Sequence, residues 1–71
     1  MDDKNLIRMV EQIADFYTPY TEAEAVEGIA AHLRKFWDPR MRDRISALAR
    51  DPAIELRPVI AAAIGRLSTL S

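Results

Sequence analysis

The chain has 71 residues, no cysteine, one histidine and a net charge of −1. A chain of this length forms one small domain, over residues 1–71, because it buries only about 60% of the surface that its unfolded form exposes. Without cysteine it cannot form a disulfide bond or a thiolate metal site, and a lone histidine cannot make a multi-histidine centre, so we expect no bound metal.

The first predicted element is an amphipathic helix over residues 4–17, with Asp3 as its N-cap. Pro19 ends this helix because it biases Thr18 toward an extended conformation. Charged and polar side chains fall on the outer face of the helix. The apolar residues that share the opposite face are Leu6, Met9, Val10, Ile13, Phe16 and Tyr17.

The second predicted helix covers residues 21–37 and begins at a capping box formed by Thr21 and Glu24. Gly28 lies inside this helix and costs about 1 kcal/mol relative to alanine. A glycine at this position would allow a neighbouring helix to approach closely, which is one reason for its presence. The predicted core face consists of Val26, Ile29, Ala30, Leu33 and Trp37.

Two Asp-Pro pairs mark the next boundaries. Asp38-Pro39 predicts a third helix over residues 39–50, since aspartate is a good N-cap and proline fits the first helical position. After Asp51-Pro52 a long helix is blocked by Pro58, whose ring would strike the carbonyl group of Ile54. We therefore predict a short turn at residues 52–55 and a fourth helix at 58–68, giving an all-α bundle of three to four helices.

The fourth predicted helix is apolar on all sides, and this composition has two interpretations. A helix without a polar face is normally buried on more than one side, so part of it would face another chain, for example in a homodimer of the isolated protein. Alternatively, its alanines contribute helix propensity at tolerated surface positions.

Motifs for catalysis, export and membrane insertion are lacking. His32 has no serine, cysteine or second histidine nearby in sequence to form a nucleophile pair, and Gly28 and Gly65 are too isolated for a phosphate-binding loop. The N-terminus lacks the features of a signal peptide, and no apolar run approaches the ~20 residues of a membrane span. We expect a soluble, cytoplasmic protein without catalytic activity.

A basic cluster lies at the junction of helices two and three, and it admits three interpretations. It is a nucleic-acid surface, a solvated face with internal ion pairs, or a protein-docking surface. Net negative charge and the lack of Asn or Gln in helix three argue against nucleic acid. Trp37 and Phe36 favour docking, since aromatic residues and arginine are enriched at interface centres, although Trp37 also fits the core. The cluster consists of Arg34, Lys35, Arg40, Arg42 and Arg44.

Three segments resemble one known family. They read NLIRMVEQIADFY at residues 5–17, TEAEAVEGIAAHLRKFWDPRMR at 21–42 and LRPVIAAAI at 56–64. They resemble the small delta subunit of the NAD-dependent, molybdenum-containing formate dehydrogenases of bacteria, the FdsD family. The most specific match is HLRKFWDPRMR at residues 32–42.

This resemblance implies a non-catalytic accessory subunit that aids assembly or stability of a cytoplasmic enzyme complex. It implies that molybdenum, iron-sulfur, flavin and NAD sites belong to larger subunits, so we expect no cofactor in this chain. The molybdenum-containing catalytic subunit is the expected partner, and a small helical DNA-binding regulator is the alternative function. The residues expected to contact the partner are His32, Arg34, Lys35, Phe36, Trp37, Asp38, Arg40 and Arg42.

Overall fold

The computed structural model describes residues 2–69, with side-chain packing described through Leu67, and contains four helices. These are α1 (Asp3–Phe16), α2 (Glu22–Phe36), α3 (Pro39–Ala49) and α4 (Pro58–Thr69). No strand occurs within residues 2–69. The predicted all-α architecture is confirmed, because the observed helices lie where the capping and proline signals placed them.

The first two helices begin at side-chain caps. At α2 the Glu24 amide donates to the Thr21 hydroxyl at 3.2 Å, and the Thr21 amide donates to the Glu24 carboxylate at 3.2 Å. The prediction that Asp3 caps α1 is wrong. Asp2 is the N-cap, with an extended backbone and a carboxylate that accepts from the Lys4 amide at 3.1 Å. Asp3 is already helical, and its carboxylate is available for a tertiary contact.

The segment between α3 and α4 is a turn at residues 52–53 followed by irregular chain at 54–57, so the turn is shorter than the predicted 52–55. The Ala53 amide donates to the Asp51 carboxylate at 2.9 Å, which closes the turn at residues 52–53. Ile54 and Leu56 then pack against the core. The connection is thus tied to the core by apolar contacts, and α4 starts at Pro58.

One apolar cluster holds the helices together, and α2 and α4 share its most extensive helix contact. The predicted core face of α2 is buried as expected. The prediction that Phe16 shares the core face of α1 is wrong, because Phe16 is 67% exposed while Ala14 is buried. The buried residues of the cluster are Leu6, Val10, Ala14, Val26, Ile29, Ala30, Leu33, Trp37, Ile45, Leu48, Ile60, Ala63 and Ile64.

Helix α4 buries one face and exposes another despite its apolar composition. Ile60 and Ile64 are buried, whereas Ala61 and Ala62 are exposed. The exposed apolar surface of α4 is therefore made of small side chains, which agrees with alanine acting through helix propensity at the surface. A homodimer through α4 stays a prediction, and the large exposed apolar side chains lie elsewhere.

Ion pairs connect residues far apart in the sequence. The Arg44 guanidinium donates to both carboxylate oxygens of Asp3, at 2.8 and 2.7 Å. Arg57 pairs with Asp15 at 3.0 Å, and Arg66 pairs with Glu27. These contacts tie α1 to α3, α1 to the residue preceding α4, and α2 to α4.

The Asp3–Arg44 pair predicts a specific pH dependence. The hydrogen bond from Arg44 lowers the pKa of Asp3 below its ordinary value of 3.8. Because the pKa of Asp3 is lower in the folded state, its ionised carboxylate stabilises the fold at pH values above the unfolded-state pKa. This contribution to the free energy of unfolding is lost as the pH falls below 3.8 and passes through the folded-state pKa. We expect the stability difference between wild type and Asp3→Asn, measured by urea denaturation, to shrink over that range. When both proteins also carry Arg44→Met, the stability difference due to Asp3→Asn should no longer depend on pH in this way. If the dependence persists, the Asp3–Arg44 pair is not its cause.

The two glycines predict opposite packing consequences for the same substitution. A Cβ atom at Gly65 would meet no heavy atom within 4 Å, whereas one at Gly28 would overlap the ring of Tyr17. The close neighbour of Gly28 is thus a tyrosine side chain and not a helix backbone. We expect Gly65→Ala to stabilise the protein by about 0.5–1 kcal/mol in urea denaturation, and Gly28→Ala to stabilise it less or to destabilise it. Equal gains at both positions would mean that Tyr17 moves aside without cost.

Candidate functional site

The candidate site is the corner between α2 and α3. Trp37 and Asp38 have extended backbone conformations, so α2 ends at Phe36 and α3 begins at Pro39. The Asp38 carboxylate accepts a hydrogen bond from the Met41 amide at 2.9 Å, as an N-cap residue does. Asp38 therefore fixes the direction in which the chain enters α3, and its carboxylate is engaged within the chain.

Phe36 and Trp37 are neighbours in sequence but have opposite environments. Trp37 is 4% exposed and belongs to the core cluster, whereas Phe36 is 70% exposed. The reason is the end of the helix, since the extended backbone at Trp37 directs its indole ring inward after Phe36 has completed the last turn of α2. Of these two predicted contact residues, only Phe36 is accessible at the surface, and Trp37 is part of the core.

Arg42 spans the corner from within the chain. Its guanidinium Nη1 donates to the backbone carbonyl of Trp37 at 2.7 Å and to that of Arg34 at 3.1 Å. Carbonyl groups at a helix C-terminus lack helical partners, and basic side chains satisfy them favourably. Sequence reasoning assigned Arg42 to partner contact and missed this role, because a hydrogen bond to residues five and eight positions back requires the chain to turn at the corner.

Three basic side chains at the corner carry no partner in the part of the chain that the structure describes. Arg34, Lys35 and Arg40 are exposed, and their side chains form no ion pair or hydrogen bond with residues 2–69. In contrast, Arg44 and Arg57, like Arg66, are paired with carboxylates. The corner therefore carries positive charge that no carboxylate of the described residues pairs with, next in sequence to the exposed ring of Phe36.

His32 joins the corner to a second feature, the groove between α1 and α2. Its ring is half-buried and lies 4.8 Å from the ring of Phe36, between centroids. His32 also lines a cavity of about 310 Å³ together with Ile13, Phe16 and Tyr17. We name the surface formed by the cavity-lining residues with Tyr20 and Phe36 the aromatic groove. The sequence analysis did not predict it, since Phe16 and Tyr17 were placed on the core face.

Within residues 2–69 no group of three or more His, Asp or Glu side chains could hold a metal ion. Across the same residues no helix is long and apolar enough to cross a membrane. The site therefore offers charge, aromatic surface and backbone-anchored geometry, which are properties suited to binding a macromolecule.

Comparison with models of known protein families gives a match over most of the chain. The model of the FdsD family, described as the NADH-dependent formate dehydrogenase delta subunit, matches residues 5–64. The match includes α2, the corner and α3, with most of α1 and the first part of α4. No curated protein and no solved structure matches the chain.

Proposed function

Because the chain belongs to the FdsD family of formate dehydrogenase delta subunits, we propose that it is a non-catalytic accessory subunit of the enzyme. It aids assembly or stability of the complex by docking on a larger subunit, and the molybdenum-containing catalytic subunit is the proposed partner. We place this complex in the cytoplasm.

The observation that carries the docking proposal is the group of unpaired cations around an exposed aromatic side chain. Arg34 and Lys35 directly precede the exposed Phe36 and Arg40 follows it by four residues, and none of the three has a carboxylate partner among the described residues. Aromatic and arginine side chains contribute most at interface centres because they combine large contact area with planar hydrogen bonding. The hydrogen bonds of Asp38 and Arg42 fix the backbone at the corner, so the side chains of the three cations and Phe36 extend from a backbone of defined conformation.

The available chemistry also supports the proposed non-catalytic role. The chain has no cysteine to ligate an iron-sulfur cluster, and no second histidine to assist His32. Docking stabilises a folded partner by mass action, by about 2.7 kcal/mol when the ligand concentration is 100 times the dissociation constant. Binding to the partner stabilises this small chain in the same way. A core of this size by itself rarely supplies more than roughly 3–5 kcal/mol.

Charge reversal at the corner tests the proposal. We expect Arg34→Glu combined with Arg40→Glu to weaken binding to a formate dehydrogenase complex purified without this chain by about tenfold or more, since favourable charge pairs become repulsive. The charge-matched control is Arg8→Glu with Arg50→Glu, two exposed cations that also lack ion pairs among the described residues. Biolayer interferometry measures all three proteins. Equal binding by both double variants would refute docking through the corner, and no binding by wild type would refute the subunit role.

The DNA-binding alternative has less support. Within the basic cluster, Arg44 is paired with Asp3 and Arg42 is committed to backbone carbonyls, which leaves three of its five cations for phosphate groups. A fluorescence titration with duplex DNA at physiological salt distinguishes the two functions. Salt-sensitive binding to DNA, without binding to the enzyme complex, would favour the regulator.

A further inference from the structure

Three large apolar side chains are exposed within residues 2–67, and all three belong to the aromatic groove. Phe16 is 67% exposed, Tyr20 48% and Phe36 70%. Phe16, Tyr17 and Tyr20 form a cluster whose ring centroids lie 5.1–6.3 Å apart. This arrangement leaves apolar surface on both sides of a cavity of about 310 Å³, at the end of α1 and along α2.

The charge beside this groove is positive. Lys35 follows His32 by three residues, so it lies on the neighbouring row of α2, and its ammonium group has no partner among the described residues. The nearby carboxylates are engaged: Asp15 pairs with Arg57, and Glu24 accepts hydrogen bonds from Thr21. A carboxylate from outside the chain is the natural partner of Lys35.

We infer that the aromatic groove binds a segment of the larger enzyme subunit that carries a large apolar side chain with a carboxylate within one helical turn of it. The apolar side chain enters the cavity between Phe16 and His32, and the carboxylate pairs with Lys35. This inference rests on the proposed function and assigns the chain a second contact area, continuous with the corner through Phe36.

A second copy of the chain fits the groove less well. Its exposed Phe16 and Phe36 are close in sequence to Asp15 and Asp38, but Asp15 is held by Arg57 and Asp38 by the Met41 amide. In a symmetric dimer, Phe36 of one copy could lie beside His32 of the other. This arrangement would also bring the two Lys35 side chains together, and their like charges repel. Because the chain belongs to a family of enzyme subunits, a larger subunit is the occupant that we assign to the groove, and its carboxylate would pair with Lys35.

Binding of purified variants to the enzyme complex that lacks this chain tests the inference. We expect Phe16→Ala and Lys35→Glu each to weaken binding by about tenfold or more, and Lys35→Arg to bind like wild type. Far-UV circular dichroism and Trp37 emission establish that each variant is folded. A photoreactive phenylalanine analogue at position 16 should cross-link to a peptide of the larger subunit that contains Asp or Glu, whereas the analogue at the exposed Asp43 position of α3 should not.

The outcomes separate the two proposals. If Phe16→Ala and Lys35→Glu bind normally while the Arg34 and Arg40 double variant is released, the groove inference fails and corner docking stands. Cross-linking of position 16 to a second copy, with a change of mass in light scattering, would overturn the inference in favour of a dimer. If wild type does not bind the complex, the proposed function fails and the inference fails with it.

Discussion

Trp37→Ala is expected to destabilise the protein by about 3–5 kcal/mol, because it removes a large buried side chain and leaves a cavity that the bundle fills only partly. Trp37 is 4% exposed and touches the cluster that joins all four helices. Since a core of this size supplies roughly 3–5 kcal/mol, we expect the variant to be largely unfolded at 25 °C by far-UV circular dichroism.

Phe36→Ala is the matched control, because Phe36 adjoins Trp37 in sequence but is 70% exposed. Its free energy of unfolding, measured by urea denaturation, should remain within about 0.5 kcal/mol of wild type. Trp37→Phe should fall between the two and keep the fold measurable. A folded Trp37→Ala protein with wild-type stability, or an unfolded Phe36→Ala protein, would contradict the assigned burial of these side chains.

Arg42→Met is expected to destabilise the protein by about 1.5–3 kcal/mol, the range for hydrogen bonds that involve a charged group. Methionine replaces the apolar stem of arginine with an unbranched side chain but leaves the carbonyl groups of Arg34 and Trp37 without their donor. Urea denaturation followed by Trp37 emission measures the loss. Faster amide hydrogen exchange in the last turn of α2 should accompany it, because that turn frays when its carbonyls lose this contact.

Arg40→Met is the control for Arg42→Met, since the Arg40 side chain is exposed and forms no bond with the described residues. It should change stability by less than about 0.5 kcal/mol. The two positions also separate stability from docking. The Arg42 substitution should affect the structure of the corner, while charge reversal at Arg40 should affect the proposed partner contact. Equal stabilities of the two variants would mean that the Arg42 hydrogen bonds contribute little.

Local chemistry made the helices predictable. A capping box at Thr21, aspartate before proline at residues 38 and 39, and Pro58 each act on the backbone within one helical turn. Neighbouring residues alone decide whether a helix starts, and the sequence contains those residues. The single error at a cap involved two adjacent aspartates, Asp2 and Asp3, either of which is chemically suited to the position.

The candidate site was predicted only in part. The segment from His32 to Arg42 and the corner within it were located, and so was the family that its residues resemble. The aromatic groove was missed because helical periodicity does not distinguish a residue at the centre of the core face from one at its edge. Ala14 lies at the centre of the α1 face and Phe16 at its edge, although phenylalanine is far more apolar.

The sequence by itself determined the four helices, the buried face of α2 and the family of this protein, since these depend on residue type and on spacing within a few positions. Only the tertiary structure decided which cations are free. Arg44 meets Asp3, Arg57 meets Asp15 and Arg42 meets two carbonyl groups because separate helices converge around one core. Pairing over such sequence distances depends on how helices pack, and at the corner this packing leaves Arg34, Lys35 and Arg40 unpaired among the described residues.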